Sequence, residues 1–166
     1  MNEEARKRID DLFRRYAAGV GRYALIRIGS PELAEEITAR VFLSVVRNIH
    51  QQHGSAVGWL WAIVRTELSR HHREPVRQAY PQDAPSTELM PLDQLERRER
   101  DALLTGALKN LPDAEQQLIS LKFFLGLSNV EIAETVGLTP GNVGVKLHRA
   151  LKELRRRLEP QNTILE

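Results

Sequence analysis

Apolar residues recur at three- and four-residue steps along most of this chain, and no stretch shows sustained two-residue alternation. The first period belongs to a helix with one buried face, the second to a strand. Between residues 3 and 28 the apolar series is Ile9, Leu12, Phe13, Tyr16, Val20, Tyr23 and Ile26. Gly29-Ser30-Pro31 then stops one helix and starts another. Ser30 is a good N-cap, and a proline is tolerated at the first helical position. Glu32, Glu35 and Glu36 follow at the positive end of the helix dipole. This second helix should run to about Asn48, with Leu33, Ile37, Val41, Phe42 and Val45 inward. After a loop at residues 50–54, Ser55 can cap a third helix carrying Val57, Leu60, Trp61, Ile63, Val64 and Leu68.

The pattern breaks at residues 75–92. Pro75, Pro81, Pro85 and Pro91 fall there among Gln, Asp, Ser and Thr. Such a stretch cannot sustain a helix and reads as a flexible linker. The expected fold is therefore all-α, with two small helical domains. Residues 1–74 form the first. Residues 93–160 form the second, a four-helix domain followed by a tail at 161–166. Its first two helices should span about Asp93–Lys109 and Asp113–Phe124, on either side of Leu111-Pro112.

The last two helices carry the clearest signal. Ser128 and Glu131 make the S-x-x-E box that caps a helix start. Ile132, Ala133 and Val136 form that helix's inner face, and Gly137 stands where a helix ends in the left-handed conformation. Leu138 plugs the core, Thr139 caps the next helix, and Pro140 takes its first position. Two helices joined by so tight a turn make a helix-turn-helix, whose second helix enters the DNA major groove. On that helix Val143, Leu147, Ala150, Leu151 and Leu154 should be buried. Asn142, Lys146, His148, Arg149 and Lys152 should face out, where they can contact base edges and phosphates. Gly144 is out of place inside a helix, at a cost of about 1 kcal/mol against alanine. Either the backbone approaches DNA there or the position is merely tolerated.

Charge sharpens the picture. The net charge of the 166 residues is only +2. Yet Lys146, Arg149, Lys152, Arg155, Arg156 and Arg157 crowd one segment against Glu153 and Glu159. Clustered positive charge suits a phosphate-binding surface, although a solvated helix face looks the same. The chain has no cysteine, which excludes disulfides and thiolate chemistry. It has a charged N-terminus, and no apolar run approaches the roughly 20 residues that span a bilayer. The expectation is a cytoplasmic protein with no membrane contact. No phosphate-binding glycine loop or nucleophile elbow is present. His50 with His53, and His71 with His72, lack the further ligands a metal needs. We expect no enzyme activity, metal, cofactor or small-molecule substrate.

Taken together, two stretches resemble a known family. Leu111-Pro112, Gly126-Leu127-Ser128, Glu131-Ile132-Ala133-Glu134, Gly137 to Val143 and Lys146 to Ala150 resemble region four of the extracytoplasmic-function (ECF) sigma factors. Leu12 to Tyr16, Ala34 to Ile37 leading to Phe42, and Trp59 to Arg65 resemble region two, in order and spacing. The resemblance implies a protein that binds core RNA polymerase and brings it to selected promoters. It implies that Asn142, Lys146, His148, Arg149 and Lys152 read the upstream (minus-thirty-five) element. His53, Ser55, Trp61, Arg65, Thr66, Arg70 and Arg73 would read and melt the minus-ten element, where flipped bases need stacking surfaces and positive charge. Glu35, Glu36, Ala39 and Arg40 would meet the polymerase clamp. An anti-sigma factor is a further partner that the resemblance allows.

Some positions depart from the family. Ala39 and Arg40 stand where a Gln-Glu pair is usual, which loses an amide and reverses a charge. Thr66 replaces an asparagine and Arg70 an aspartate, and Gly144 and Val145 replace a basic residue and a serine. Two other readings stay open here: a sigma-like regulator that binds a protein partner without initiating transcription, and a DNA-binding regulator that works without polymerase. Trp59 reads as core, as aromatics on amphipathic helices usually do, and Trp61 as either core or base-stacking.

Overall fold

A computed structural model describes residues 1–74 and 91–162, without the side chains of the last three. The expected linker, all but its last two residues, and most of the expected tail lie outside the described residues. Helix α1 spans Glu3–Ile28. Asn2 caps its start by accepting from the Ala5 amide at 2.8 Å, and Gly29 closes its end at φ 80°. Helix α2 spans Pro31–Asn48 behind the Ser30 cap, and a single 3₁₀ turn, Ile49–Gln51, leads away from it. Helix α3 spans Ala56–Arg73. The second group is α4 (Leu92–Lys109), α5 (Asp113–Ile119), α6 (Asn129–Val136) and α7 (Pro140–Asn162). No strand occurs among the described residues, so the fold is all-α.

One element differs from the expected pattern. The helix starting at Asp113 does not run evenly to Phe124. At Ser120–Phe124 it widens into a π turn, and the Leu125 amide donates to the Ser120 carbonyl at 3.0 Å. Gly126, at φ 72°, then reverses the chain toward the Ser128 cap. Insertions of this kind cluster at functional sites and contacts.

The core is continuous across both groups. Val20, Tyr23, Ile37, Val41, Val45, Leu60, Trp61 and Val64 are buried among α1–α3. Leu108, Leu118, Leu121, Ile132, Val143, Leu147 and Ala150 are buried among α4–α7. The two sets join into one cluster through α1, which packs on the π turn. There the Gly19 backbone approaches so closely that an added Cβ would lie 2.5 Å from the Phe124 carbonyl oxygen. The sequence pattern left the halves independent of each other; the structure seats one on the other.

Gln116 stiffens this seat. It is buried, and its side-chain amide donates to the carbonyls of Leu108, Lys109 and Leu111, which end α4 and begin the turn into α5. The Leu108 carbonyl also accepts from the Leu111 amide at 3.1 Å, so the glutamine adds to the closing of the helix end.

Candidate nucleic-acid interface

The helix-turn-helix forms as its caps require. The Ser128 hydroxyl oxygen accepts from the Glu131 amide at 3.2 Å, and its O–H meets the Glu131 carboxylate at 3.1 Å. Gly137 turns the chain at φ 75°, and the Thr139 hydroxyl oxygen accepts from the Asn142 amide. Val143, Leu147, Ala150 and Leu154 bury one side of α7. Asn142, Lys146, His148, Arg149 and Lys152 are all exposed on it. Leu138 is only partly buried, a satellite of the core rather than a plug. Gly144 faces Asn129, whose side-chain nitrogen would lie 3.6 Å from an added Cβ. Ordinary contact at that distance means packing does not demand a glycine. Farther along α7, Glu153 pairs with Arg156 at 2.7 Å and with Arg157 at 3.0 Å. The hydrogen bond from Arg156 holds the Glu153 carboxyl below its ordinary range. Part of the basic C-terminal cluster is thereby neutralised, and Lys146, Arg149 and Lys152 stand before it on the helix.

Helix α3 presents the second basic surface. Ala62, Arg65, Thr66, Ser69, Arg70 and Arg73 line one shallow depression of about 540 Å³. Four of the residues expected at the minus-ten site are therefore brought together there. Ser69 belongs with them and was missed, although the helical spacing 62-65-66-69-70-73 points to it. Thr66 donates its hydroxyl proton to the Ala62 carbonyl, and Arg70 lies 3.4 Å from the buried Glu67 carboxylate. His53 is exposed in the loop before α3, and the Ser55 hydroxyl oxygen accepts from the Gly58 amide at 3.1 Å as the helix cap. These two stand at the N-terminal end of α3, apart from the depression.

Trp61 is not on this surface. It is 1% exposed, tilted against Tyr23 with ring centroids 4.7 Å apart, and its indole N–H donates to the Gln117 side chain at 3.3 Å. A ring so enclosed cannot stack on a base while α5 stays in place. Trp59, expected in the core, is the half-buried one of the pair. Tyr23 shares the burial, which pushes its hydroxyl pKa up to about 12.

The geometry agrees with what the chain is similar to. The sigma-70 region 4 family model matches residues 101–154. The ECF RNA polymerase sigma factor RpoE of Cereibacter sphaeroides is 30% identical over 155 residues, 89% of this chain and 84% of that protein. This chain belongs to the ECF RNA polymerase sigma factors. BldN of Streptomyces coelicolor, of the same description, is also 30% identical, and the chain spans 59% of its length. RNA polymerase sigma factor YlaC of Bacillus subtilis is 27% identical over 93% of its length. Among solved structures, CnrH in complex with the cytosolic domain of CnrY shares the fold, at TM-score 0.65 and 17% identity over 92% of this chain and 88% of that one.

In this sigma factor the departure on α2 has a structural answer. Arg40 pairs with Glu36 at 2.9 Å and with Glu74 at 3.2 Å, tying α2 to the end of α3. Burial opposes its charge, but the two carboxylates outweigh that and raise its pKa. The reversed charge is thus answered inside the chain. Glu35 and Ala39 are exposed beside it, and Leu43 and Val46 continue the same helix as open apolar residues. Among the described residues no helix is long and apolar enough to cross a membrane.

Proposed function

We propose that this sigma factor binds core RNA polymerase in the cytoplasm and directs it to promoters by two basic helical surfaces. The upstream element is read by α7 in the major groove, with Asn142, Lys146, His148, Arg149 and Lys152 at the DNA. Arg and Asn there have the geometry for bidentate contacts to guanine and adenine edges, and Lys146 and Lys152 suit phosphates. The minus-ten element is held along α3 by Arg65, Thr66, Ser69, Arg70 and Arg73, with His53 and Ser55 at the loop end. Polymerase docks on α2 around Glu35, Glu36, Ala39, Leu43 and Val46. No catalytic chemistry is assigned to the chain. A protein regulator could seat on it, as the cytosolic domain of CnrY does on CnrH.

The observation that carries this reading is one chain presenting both the helix-turn-helix with its outer face open and the separate arginine-lined depression on α3. A regulator working by the helix-turn-helix alone has no use for the second surface. The test is transcription by purified core polymerase with this protein from a promoter selected out of a random library. A discrete start site, weakened separately by changes in an upstream and a downstream block, is expected. Failure to bind core at any salt concentration sinks the proposal.

A further inference from the structure

Of the three arginines that line the depression on α3, one is backed by a carboxylate. Arg65, Arg70 and Arg73 are all exposed. Arg70 donates through Nη1 to the Glu67 carboxylate at 3.4 Å. Among the described residues no carboxylate pairs with Arg65 or Arg73.

Glu67 is out of keeping with its place. It continues the buried line of Val57, Leu60 and Val64 at three- and four-residue steps, and the other members are apolar. Its side chain is 7% exposed, and its Oε2 atom is buried without a hydrogen-bond partner. A buried carboxylate with so few bonds lowers stability, and an apolar side chain would complete the same line without that cost. What the carboxylate does is hold Arg70. Position 70 is also one where the chain departs from its family, with an arginine standing for an aspartate. Here the carboxylate stands one turn earlier, at Glu67.

The atoms decide what a held Arg70 can do. Nη1 faces the carboxylate, while Nε and Nη2, the side face of the fork, make no bond within the protein. Two parallel N–H donors from one guanidinium match O6 and N7 of guanine. That edge is open in a duplex major groove and on a separated strand alike. A fork already held in place meets it with little further loss of freedom. Arginines without a partner, such as Arg65 and Arg73, suit phosphates, which accept from many directions.

We propose that Glu67 is a positioning residue that holds Arg70 to read a guanine of the minus-ten element, while Arg65 and Arg73 hold the backbone beside it. This rests on the minus-ten reading of α3 given above. The depression thereby divides into one arginine that specifies sequence and two that fix position.

Promoter selection from a random library, by core polymerase with the full chain, reads the preference base by base. Wild type should favour guanine at one position of the downstream block by about tenfold, the discrimination expected of a bidentate arginine. Arg70→Lys keeps the charge and loses the fork, so it should bring that preference below about threefold and leave other positions alone. Glu67→Gln keeps the shape and removes the charge behind the arginine. It should weaken preference at the same position, with a thermal midpoint no lower than wild type, because a poorly bonded buried charge is gone. In the Arg70→Lys background, Glu67→Gln should change the preference no further, since the two act as one unit. Arg65→Ala and Arg73→Ala should each weaken all sequences alike and lower the salt slope by about one. A profile with no guanine preference in the downstream block, or one that Arg70→Lys leaves intact, overturns the proposal. So does a loss from Glu67→Gln that is as large in the Arg70→Lys background as alone.

A second arm needs neither promoter nor polymerase. In the free full chain labelled with ¹⁵N-arginine, magnetic resonance should show rotation about the Nε–Cζ bond of Arg70 about threefold slower than in Arg65 and Arg73, as a charge-assisted hydrogen bond requires. Glu67→Gln should bring the three rates together. Equal rates in wild type overturn the proposal whatever the polymerase assay gives. Wild-type protein that fails with core polymerase but keeps Arg70 slow counts against the proposed function alone.

Discussion

Helices α3 and α7 both carry exposed basic residues, but they are placed differently in the fold. On α7 every nominated residue is exposed, and its buried side is packed from within its own half. On α3 the nominated set is divided: Arg65, Thr66, Arg70 and Arg73 are exposed, and Trp61 is sealed under α5. One helix is a finished surface. The other is finished only on its arginine edge, and its aromatic edge serves the contact between the halves. The difference teaches that residue type and helical position nominate a surface, while a partner element more than fifty residues away decides whether it is open.

The sharpest way to break this comparison is Trp61→Ala. A fully buried tryptophan lost to alanine should destabilise the protein by about 3–5 kcal/mol. Urea denaturation followed by circular dichroism should show a midpoint well below wild type before any DNA is added. An unchanged midpoint would mean that Trp61 is a surface residue like those on α7. Trp59, half-buried, should cost distinctly less when changed the same way.

The fold was legible where a residue acts on its own backbone neighbours. Ser30, Ser55, Ser128 and Thr139 cap the helices that their sequence context indicated, and Gly29 and Gly137 end helices in the left-handed conformation. The exposed face of α7 followed from spacing alone. The π turn was not legible, because Leu118, Ile119, Leu121 and Phe124 fit an unbroken helix equally well. Nor was the contact between halves: Arg27 and Asp113 are 86 residues apart, with a proline-rich stretch between them that fixes no orientation. The two tryptophans stand about 200° apart around their helix, so periodicity sends them to different sides without saying which is which. Tyr23 and Gln117, from other elements, made that choice. Ser69 on α3 is readable from spacing, whereas the pairing of Arg40 on α2 with Glu74 follows only from packing.

A smaller effect sharpens the comparison from the α7 side. Arg149→Ala should weaken specific promoter-fragment binding by about 1–3 kcal/mol if the guanidinium meets a guanine edge, and should relax preference at one base pair. Lys152→Ala should instead weaken all sequences alike and lower the salt slope by about one. Filter binding across a salt series separates the two. Equal slopes for wild type and Lys152→Ala would remove that lysine from the phosphate set. Smaller again is Gly144→Ala. With only Asn129 near the added methyl group, helix propensity should raise stability by about 0.5–1 kcal/mol. Should promoter binding fall while stability rises, the glycine serves a close approach to DNA and not the fold.

The smallest effect lies at the contact that makes α3 differ from α7. The hydrogen bond from Arg27 holds the Asp113 carboxyl below the usual carboxylate range, with Arg27's charge acting the same way and His72 adding to it. A carboxyl whose pKa is lowered by a contact strengthens that contact at every pH above its ordinary value, and the gain is lost as pH falls through the lowered one. Closure of the two halves should therefore be full at neutral pH and weaken below about pH 4, the ordinary carboxylate range. Asp113 is largely exposed, so the pair contributes no more than about 1 kcal/mol, and less in high salt. Asp113→Asn should loosen the contact at neutral pH and flatten this acid dependence. Energy transfer between dyes on α2 and α6, followed from pH 7 to 3.5 with circular dichroism as the check on folding, reads both. An acid-induced separation that survives unchanged in Asp113→Asn would move the titrating group elsewhere and leave Gly19 and Trp61, not the ion pair, as what holds α3 under its cover.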